Sequence, residues 1–189
     1  MPGKRQSDLR RFDNSWYEPG ASVIVRVLWF FFGAPLVRWP LNPSGALKRA
    51  VLRLFGAVIG AGVVLKPGLR VKYPWRLKVG EAAWIGEGVW IDNLADVEIG
   101  AHACLSQEAY LCTGNHDWTD PAFSLIVKGI RIGRGAWVGA RALIGPGVDV
   151  GEHGIASMGS VVLKDIPPFQ VYSGNPAQFA KHRRLGEAE

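Results

Sequence analysis

A chain of 189 residues, nearly half of them apolar, is long enough for one domain with a real core, and this composition excludes wholesale disorder. Its 24 glycines stand far above ordinary usage but follow no three-residue collagen period. The net charge of +6 suits an anionic partner, while two cysteines with no CxxC pair or ligand cluster argue against a metal site and for a reduced, cytoplasmic setting.

Residues 1–19 are polar and aromatic without periodicity. Charges continue to Arg11 and no apolar signal core follows directly, so secretion is not expected. Residues 20–39 are predicted to form one helix. Its centre, Val27 to Val37, reads VLWFFFGAPLV between Arg26 and Arg38, too short to span a bilayer. It suits packing against the domain or a second subunit, or peripheral contact at a membrane interface. The contiguous Leu28, Trp29, Phe30, Phe31 and Phe32 would cover most of a helix circumference rather than one stripe. Pro40 and Pro43 break that helix. Ser44 caps a second one over Ala46 to Val58, with Lys48, Arg49 and Arg53 spread among apolar residues. Residues 1–62 therefore read as a helical extension and 63–189 as the main domain.

From Val79 the pattern changes. Apolar anchors recur every six positions at Val79, Ile85 and Ile91. After a two-residue slip they resume at Ile99, Leu105 and Leu111. After a longer break they continue at Ile132, Val138, Ile144, Val150, Ala156 and Val162. The residue after the anchor is often glycine, and the position two before it is small or valine, as at Ala83, Val89, Ala103, Ala136 and Ala142. A six-residue period fits neither a helix nor simple strand alternation. It fits a short strand followed by a corner, three such units making one triangular coil that stacks on the next. Anchors then point inward, and glycine eases the tight turns.

Val71 to Lys181 resembles the left-handed β-helix acyltransferases built of hexapeptide repeats, in particular their galactoside, maltose and nodulation acetyltransferase branch. The stretches FDNSWYEPG, VKYPWRLKVGE and LCTGNHDW resemble more closely the colanic-acid-biosynthesis type. The resemblance implies an all-β-dominated fold: a left-handed parallel β-helix with an N-terminal helical segment and a short C-terminal helix-like cap at about 166–189. It also implies transfer of an acetyl group from acetyl-CoA, without a metal, to a hydroxyl of a sugar or polysaccharide precursor. It implies a homotrimer too, with acetyl-CoA grooves between subunits.

The catalytic expectation centres on the excursion at about 113–131. The break from Leu111 to Ile132 is three residues longer than a full coil of three hexapeptides, so the chain leaves the regular wall there. An alcohol attacks a thioester well only as its proton is removed, and a neutral histidine suits that task. His116 lies in Thr113-Gly114-Asn115-His116, similar to the T-G-H context of the family's catalytic histidine. Asp117 or a backbone carbonyl is the expected partner fixing its tautomer. Asp92 and Asn93, at the two-residue slip, match the place of an acidic pair that faces the acceptor sugar in the resembling enzymes; turn chemistry is the alternative. Asn115 and Asp117 are further acceptor candidates, Ser106 and Gln107 weaker ones. For acetyl-CoA the candidates are Trp137, Gly139, Ala140, Met158 and Gly159 along the coils, with Lys164 and Lys181 as phosphate contacts and Arg183 and Arg184 as substitutes. His102, His153 and His182 read as solvated.

Other readings are an N-acetyltransferase of an amino sugar and a noncatalytic β-helix scaffold. A γ-type carbonic anhydrase needs several histidines around zinc, and only His116 lies in the expected loop. Nucleic acid is not an expected partner, since no binding motif accompanies the charge.

Overall fold

The computed structural model describes residues 6–186. The N-terminal helical segment is continuous but not uniform: α1 (Val23–Leu28), a π-helical turn (Trp29–Gly33) and α2 (Ala34–Arg38). Ser22 caps its start, accepting a hydrogen bond from the Val25 N–H. The wide turn lies immediately before Pro35, whose missing N–H interrupts the helical ladder. Only one stripe, Trp29, Gly33 and Val37, is buried, whereas Phe30, Phe31 and Phe32 are exposed. The aromatic run therefore does not wrap the helix in protein.

Ser44 caps α3 (Gly45–Leu54) as expected from the sequence, but the helix stops earlier than the predicted Val58. Gly56 ends it at φ +92°, a conformation that disfavours any side chain, with its Cα close against Trp75. The cations of α3 then tie it to the main domain. Arg49 donates to the Val63 carbonyl at 2.8 Å, and Arg53 to the Ile59 carbonyl at 2.7 Å. Lys48 is fully buried and donates to the Asn42 carbonyl at 2.5 Å; its burial lowers the ammonium pKa. These bonds place α3 beside β1, the edge strand that opens the solenoid.

The coils follow in chain order. The first holds β1 (Val58–Ile59), β2 (Val64–Leu65) and β3 (Arg70–Val71). The second holds β4 (Leu77–Val79), β5 (Trp84–Ile85) and β6 (Trp90–Asp92), and the third β7 (Val97–Ile99), β8 (Cys104–Leu105) and β9 (Tyr110–Cys112). An antiparallel hairpin then interrupts, β10 (Gly114–His116) with β11 (Leu125–Val127). The fourth coil holds β12 (Ile130–Ile132), β13 (Trp137–Val138) and β14 (Leu143–Ile144), and the fifth β15 (Asp149–Val150), β16 (Ile155–Ala156) and β17 (Val161–Val162). With the start of another coil, the whole is a parallel β-solenoid of about six turns, the left-handed β-helix.

Three walls result. The first is β1-β4-β7-β12-β15, the third β3-β6-β9-β14-β17, and the second runs from β2 through β5, β8, β13 and β16 to the C-terminal strands. Register places each anchor on its equivalent: Val79, Ile99, Ile132 and Val150 on one wall, Ile85, Leu105, Val138 and Ala156 on the next, Ile91, Leu111, Ile144 and Val162 on the last. All twelve are buried. The small residues two positions earlier are buried too, so both positions of each strand-and-corner unit feed one core.

Three sequence expectations need correction. The repeat begins at Val58, inside the stretch assigned to the extension, because α3 ends early enough for Ile59, Leu65 and Val71 to join the six-residue phase. Between Leu111 and Ile132, anchors of consecutive walls, the intervening residues loop out as the hairpin. The glycines after the anchors are not the left-handed turn residues; those lie further round, as at Gly62, Gly88 and His102. Gly139 is required by close approach instead, since a Cβ there would sit 2.4 Å from the Met158 nitrogen of the next coil. Finally, the C-terminal cap is a hairpin, β18 (Gln170–Gly174) with β19 (Ala177–His182), and not helix-like. Pro167, Pro168 and Pro176 oppose a helix, while the free edge of β16 offers its ladder to β18.

Candidate active site

The corner between the third and first walls departs from the hexapeptide rule in three successive coils. Eight residues separate Val71 from Val79 and Ile91 from Ile99, where six would keep the period, and the hairpin leaves from the same corner one coil later. Tyr73 to Arg76, Asp92 to Asp96 and Thr113 to Gly129 therefore pile up at one edge. This edge carries His116.

Side chains stitch the irregular layers together. Asn93 is fully buried; its Oδ1 accepts from the Tyr73 N–H at 2.9 Å, and its Nδ2 donates to the Tyr73 and Arg76 carbonyls at 2.6 and 3.2 Å. Its hydrogen-bonding atoms are thus committed to the loop one coil below, which favours a structural role over contact with an acceptor. Thr113, also buried, does the same one layer up: its hydroxyl donates to the Asp92 carbonyl at 3.0 Å and accepts from the Ala95 N–H at 3.1 Å. Asp92 is half-buried, 3.1 Å from the Lys72 ammonium, and its other oxygen lies 3.4 Å from the Tyr110 hydroxyl. Burial, with Cys112 and Asp92 nearby, pushes the Tyr110 hydroxyl pKa up, so it stays protonated and able to donate. Asp92 also lines a groove of about 820 Å³ between the N-terminal helix and the third wall, together with Arg26, Arg70, Tyr73 and Trp90.

His116 ends β10, and its Nδ1 lies 2.8 Å from the Phe123 carbonyl oxygen. A carbonyl only accepts, so in the neutral ring Nδ1 carries the proton and Nε2 keeps its lone pair. The ring is stacked on Phe123 at 4.5 Å between centroids and 10° between planes, with Phe12 at 5.6 Å. Of the two partners anticipated, the backbone carbonyl fills the place. Phe123 sits at φ +54°, a strained conformation for an aromatic residue, held by its N–H bond to the Asp120 carbonyl at 2.9 Å. Asp117 is absorbed by the same turn: its Oδ1 accepts from the Thr119 hydroxyl and N–H at 2.6 and 2.9 Å, which holds its carboxyl below the usual range. Asn115 is exposed, its Oδ1 accepting from the His116 N–H at 2.8 Å.

Residues 8–20 strap this edge. The Asp8 N–H donates to the Pro121 carbonyl at 2.8 Å, the Tyr17 hydroxyl to the Leu94 carbonyl at 2.7 Å, and the Trp75 indole to the Pro19 carbonyl at 2.7 Å. Burial raises the Tyr17 pKa to about 12, so that bond persists through the neutral range. Phe12 and the Phe123 carbonyl were not identified from sequence. No local pattern marks a carbonyl that meets a side chain seven residues away, or an aromatic that crosses to it from the far end of the chain.

The acetyl-CoA candidates gather at a different corner. Trp137, Gly139 and Ala140 lie where the second wall turns into the third, with Met158 and Gly159 stacked one coil on; the Gly159 N–H donates to the Ala140 carbonyl at 2.8 Å. Trp137 is half-exposed and donates its indole hydrogen to the Ser106 hydroxyl at 2.8 Å. Gln107 is exposed on the same corner, and its carbonyl accepts from the Arg141 N–H at 2.9 Å. Met158 is exposed, and beside Gly159 the surface is open. Lys164 is exposed on the His116 side of the fifth coil, and Lys181 is exposed on β19. Arg183 donates through Nη1 to the Gly135 and His153 carbonyls at 3.0 and 3.2 Å, fastening the C-terminal hairpin to the coil. One chain therefore places His116, Asn115, Asp117 and Asp92 at one corner, and holds Trp137, Ala140 and Met158 on the opposite side of the third wall. Among the described residues no group of three His, Cys, Asp or Glu side chains is placed to hold a metal ion.

Comparison with known proteins gives relatives along nearly the whole chain. The WcaF protein of Escherichia coli K12, named as a colanic acid biosynthesis acetyltransferase, is 36% identical over 164 residues, covering 87% of this chain and 90% of WcaF. The galactoside O-acetyltransferase of the same strain is 26% identical over 145 residues, covering 72% and 70% of the two chains. Among solved structures, the hexapeptide-repeat-containing acetyltransferase VCA0836 of Vibrio cholerae O1 biovar eltor, complexed with acetyl-CoA, superposes with a TM-score of 0.76 at 21% identity, covering 88% of this chain and 92% of that one. No family model matches the chain.

Proposed function

The chain belongs to the hexapeptide-repeat acetyltransferase family, and from that membership we propose that it moves an acetyl group from acetyl-CoA to a hydroxyl of a saccharide, with His116 as general base. It is an acetyl-CoA-dependent acyltransferase. The observation that carries the catalytic part is the His116–Phe123 contact, which leaves Nε2 unprotonated in the neutral ring. As the acceptor oxygen bonds to the thioester carbonyl carbon, its proton passes to Nε2. The tetrahedral adduct then expels the CoA sulfur, which takes that proton as the C–S bond breaks. No acyl-enzyme is needed, because the thioester is already activated.

Asp92, beside Lys72 and Tyr110 in the groove between the N-terminal helix and the third wall, is the acceptor-side carboxylate of this reading, with Asn115 exposed on the hairpin. The acetyl-CoA arm runs along Trp137, Gly139, Ala140, Met158 and Gly159, and Lys164 and Lys181 meet its phosphates. Trp137, Gly139, Ala140, Met158 and Gly159 lie at a different corner of the chain from His116, so the complete site forms where a neighbouring copy brings its acetyl-CoA corner to this His116. Homotrimeric assembly satisfies that requirement. Light scattering at assay concentration is expected to give the mass of three chains; a monomer mass with full activity would refute a site shared between copies.

The linkage is tested on the product. With a saccharide panel and acetyl-CoA, mass spectrometry is expected to find one added acetyl group that mild alkali removes, as an ester requires. An alkali-stable product formed only with amino sugars would replace this reading with N-acetylation.

A further inference from the structure

The N-terminal helical segment buries one stripe and leaves the rest in water. Ile24, Leu28 and Phe32 form a stripe on its far side, 71%, 44% and 63% exposed, while Phe30 and Phe31, also exposed, line the grooves on the inner side. Three large apolar side chains in line on the outward helix surface mark a contact face.

The charge around that face says what covers it. The charged side chains beside the helical segment are Arg26, Arg38, Arg70 and Lys72, with Asp92 deeper in the groove. Arg26 and Arg38 lie on the helical segment itself, and Arg70 stands on the wall beneath, lining the groove with them. The Arg26 Nε is buried without a hydrogen-bond partner. A second copy presenting the same face would set cations against cations. Anionic lipid supplies both missing complements, acyl chains for the aromatics and phosphates for the arginines. The sixteen residues of this segment are roughly 24 Å long at the helical rise, short of the ~30 Å hydrocarbon core. Among the described residues no helix is long and apolar enough to cross a membrane.

We propose that this helical segment docks the protein on an anionic bilayer surface. It lies in the plane of the interface, with Ile24, Leu28 and Phe32 inserted among the acyl chains and Arg38 among the headgroups. The groove leading to Asp92 opens on the inner side of the same segment, so an acceptor would be met at the membrane face. The proposal does not depend on the catalytic reading, since its readout is vesicle binding.

The test is flotation of the full chain with vesicles of phosphatidylcholine alone and of phosphatidylcholine mixed with phosphatidylglycerol. The protein is expected to float with the mixed vesicles only, and less so as salt screens the surface charge. The triple variant Ile24→Gln, Leu28→Gln, Phe32→Gln should keep the wild-type circular dichroism and thermal midpoint while its bound fraction falls about tenfold or more. Absence of wild-type flotation with mixed vesicles, or flotation untouched by the triple substitution, would overturn the proposal. Absence of flotation together with a smaller mass for the triple variant in light scattering would reassign this face to a contact between copies.

Discussion

His116→Ala is expected to lower acetyl transfer by roughly 10²–10⁴-fold while leaving acetyl-CoA binding intact. The magnitude follows from what the alanine removes. It takes away the group that accepts the acceptor's proton as the new ester forms, while the coils proposed to hold acetyl-CoA stand at another corner and keep their backbone geometry. The fold should not suffer, because the hairpin is held independently by the β10–β11 ladder and by the turns that Asp117 and Asp120 build. Replacement by glutamine is a sharper control. It approximates the size of the imidazole and can still donate to the Phe123 carbonyl, yet it offers no basic nitrogen. Activity lost in both variants, with acetyl-CoA affinity measured by calorimetry unchanged, fits a base. Activity retained in the glutamine variant would reduce His116 to a positioning or structural residue.

Asn93→Ala is expected to destabilise the fold far more than it alters acceptor recognition. Three hydrogen bonds disappear at a fully buried site, leaving the Tyr73 N–H and the Tyr73 and Arg76 carbonyls without their partner. Each orphaned buried group costs about 1–3 kcal/mol, so the total is several kcal/mol. For a chain of this size every kcal/mol lowers the thermal midpoint by about 2–4 °C, which makes the loss easy to see by calorimetry. Below the new midpoint the acceptor KM should stay close to wild type. Asp92→Asn provides the contrast: it keeps the shape but weakens the pairing with Lys72, and as an acceptor-side residue it should raise the acceptor KM with little change in stability. The reverse pattern, an unchanged midpoint with a raised KM in Asn93→Ala, would restore Asn93 as an acceptor contact.

The solenoid was legible because its burial rule is local. An anchor such as Ile144 is inward because it recurs six residues from its neighbours, and stacking Leu111, Ile144 and Val162 requires nothing more. The corner that carries the candidate site was legible for the opposite reason: Asp92 and His116 stand where the rule fails. What the sequence hid were dependencies between distant points. Asn93 suits a ligand or a turn equally well on composition, and only the coil below shows that Tyr73 and Arg76 claim it. The tautomer of His116 rests on a backbone carbonyl whose direction is set by a left-handed Phe123, a conformation that no aromatic residue advertises. The C-terminal hairpin is not legible in the sequence, because its strands gain their stability from the edge of β16 rather than from local propensity.

Free-thiol release from acetyl-CoA by the wild-type protein, followed across sugars and nucleotide sugars, tests the central claim most directly. Release that depends on both the enzyme and one saccharide acceptor is the predicted result. Failure to bind acetyl-CoA at all, in a protein whose circular dichroism shows the folded β-helix, would contradict it and leave a noncatalytic scaffold in its place.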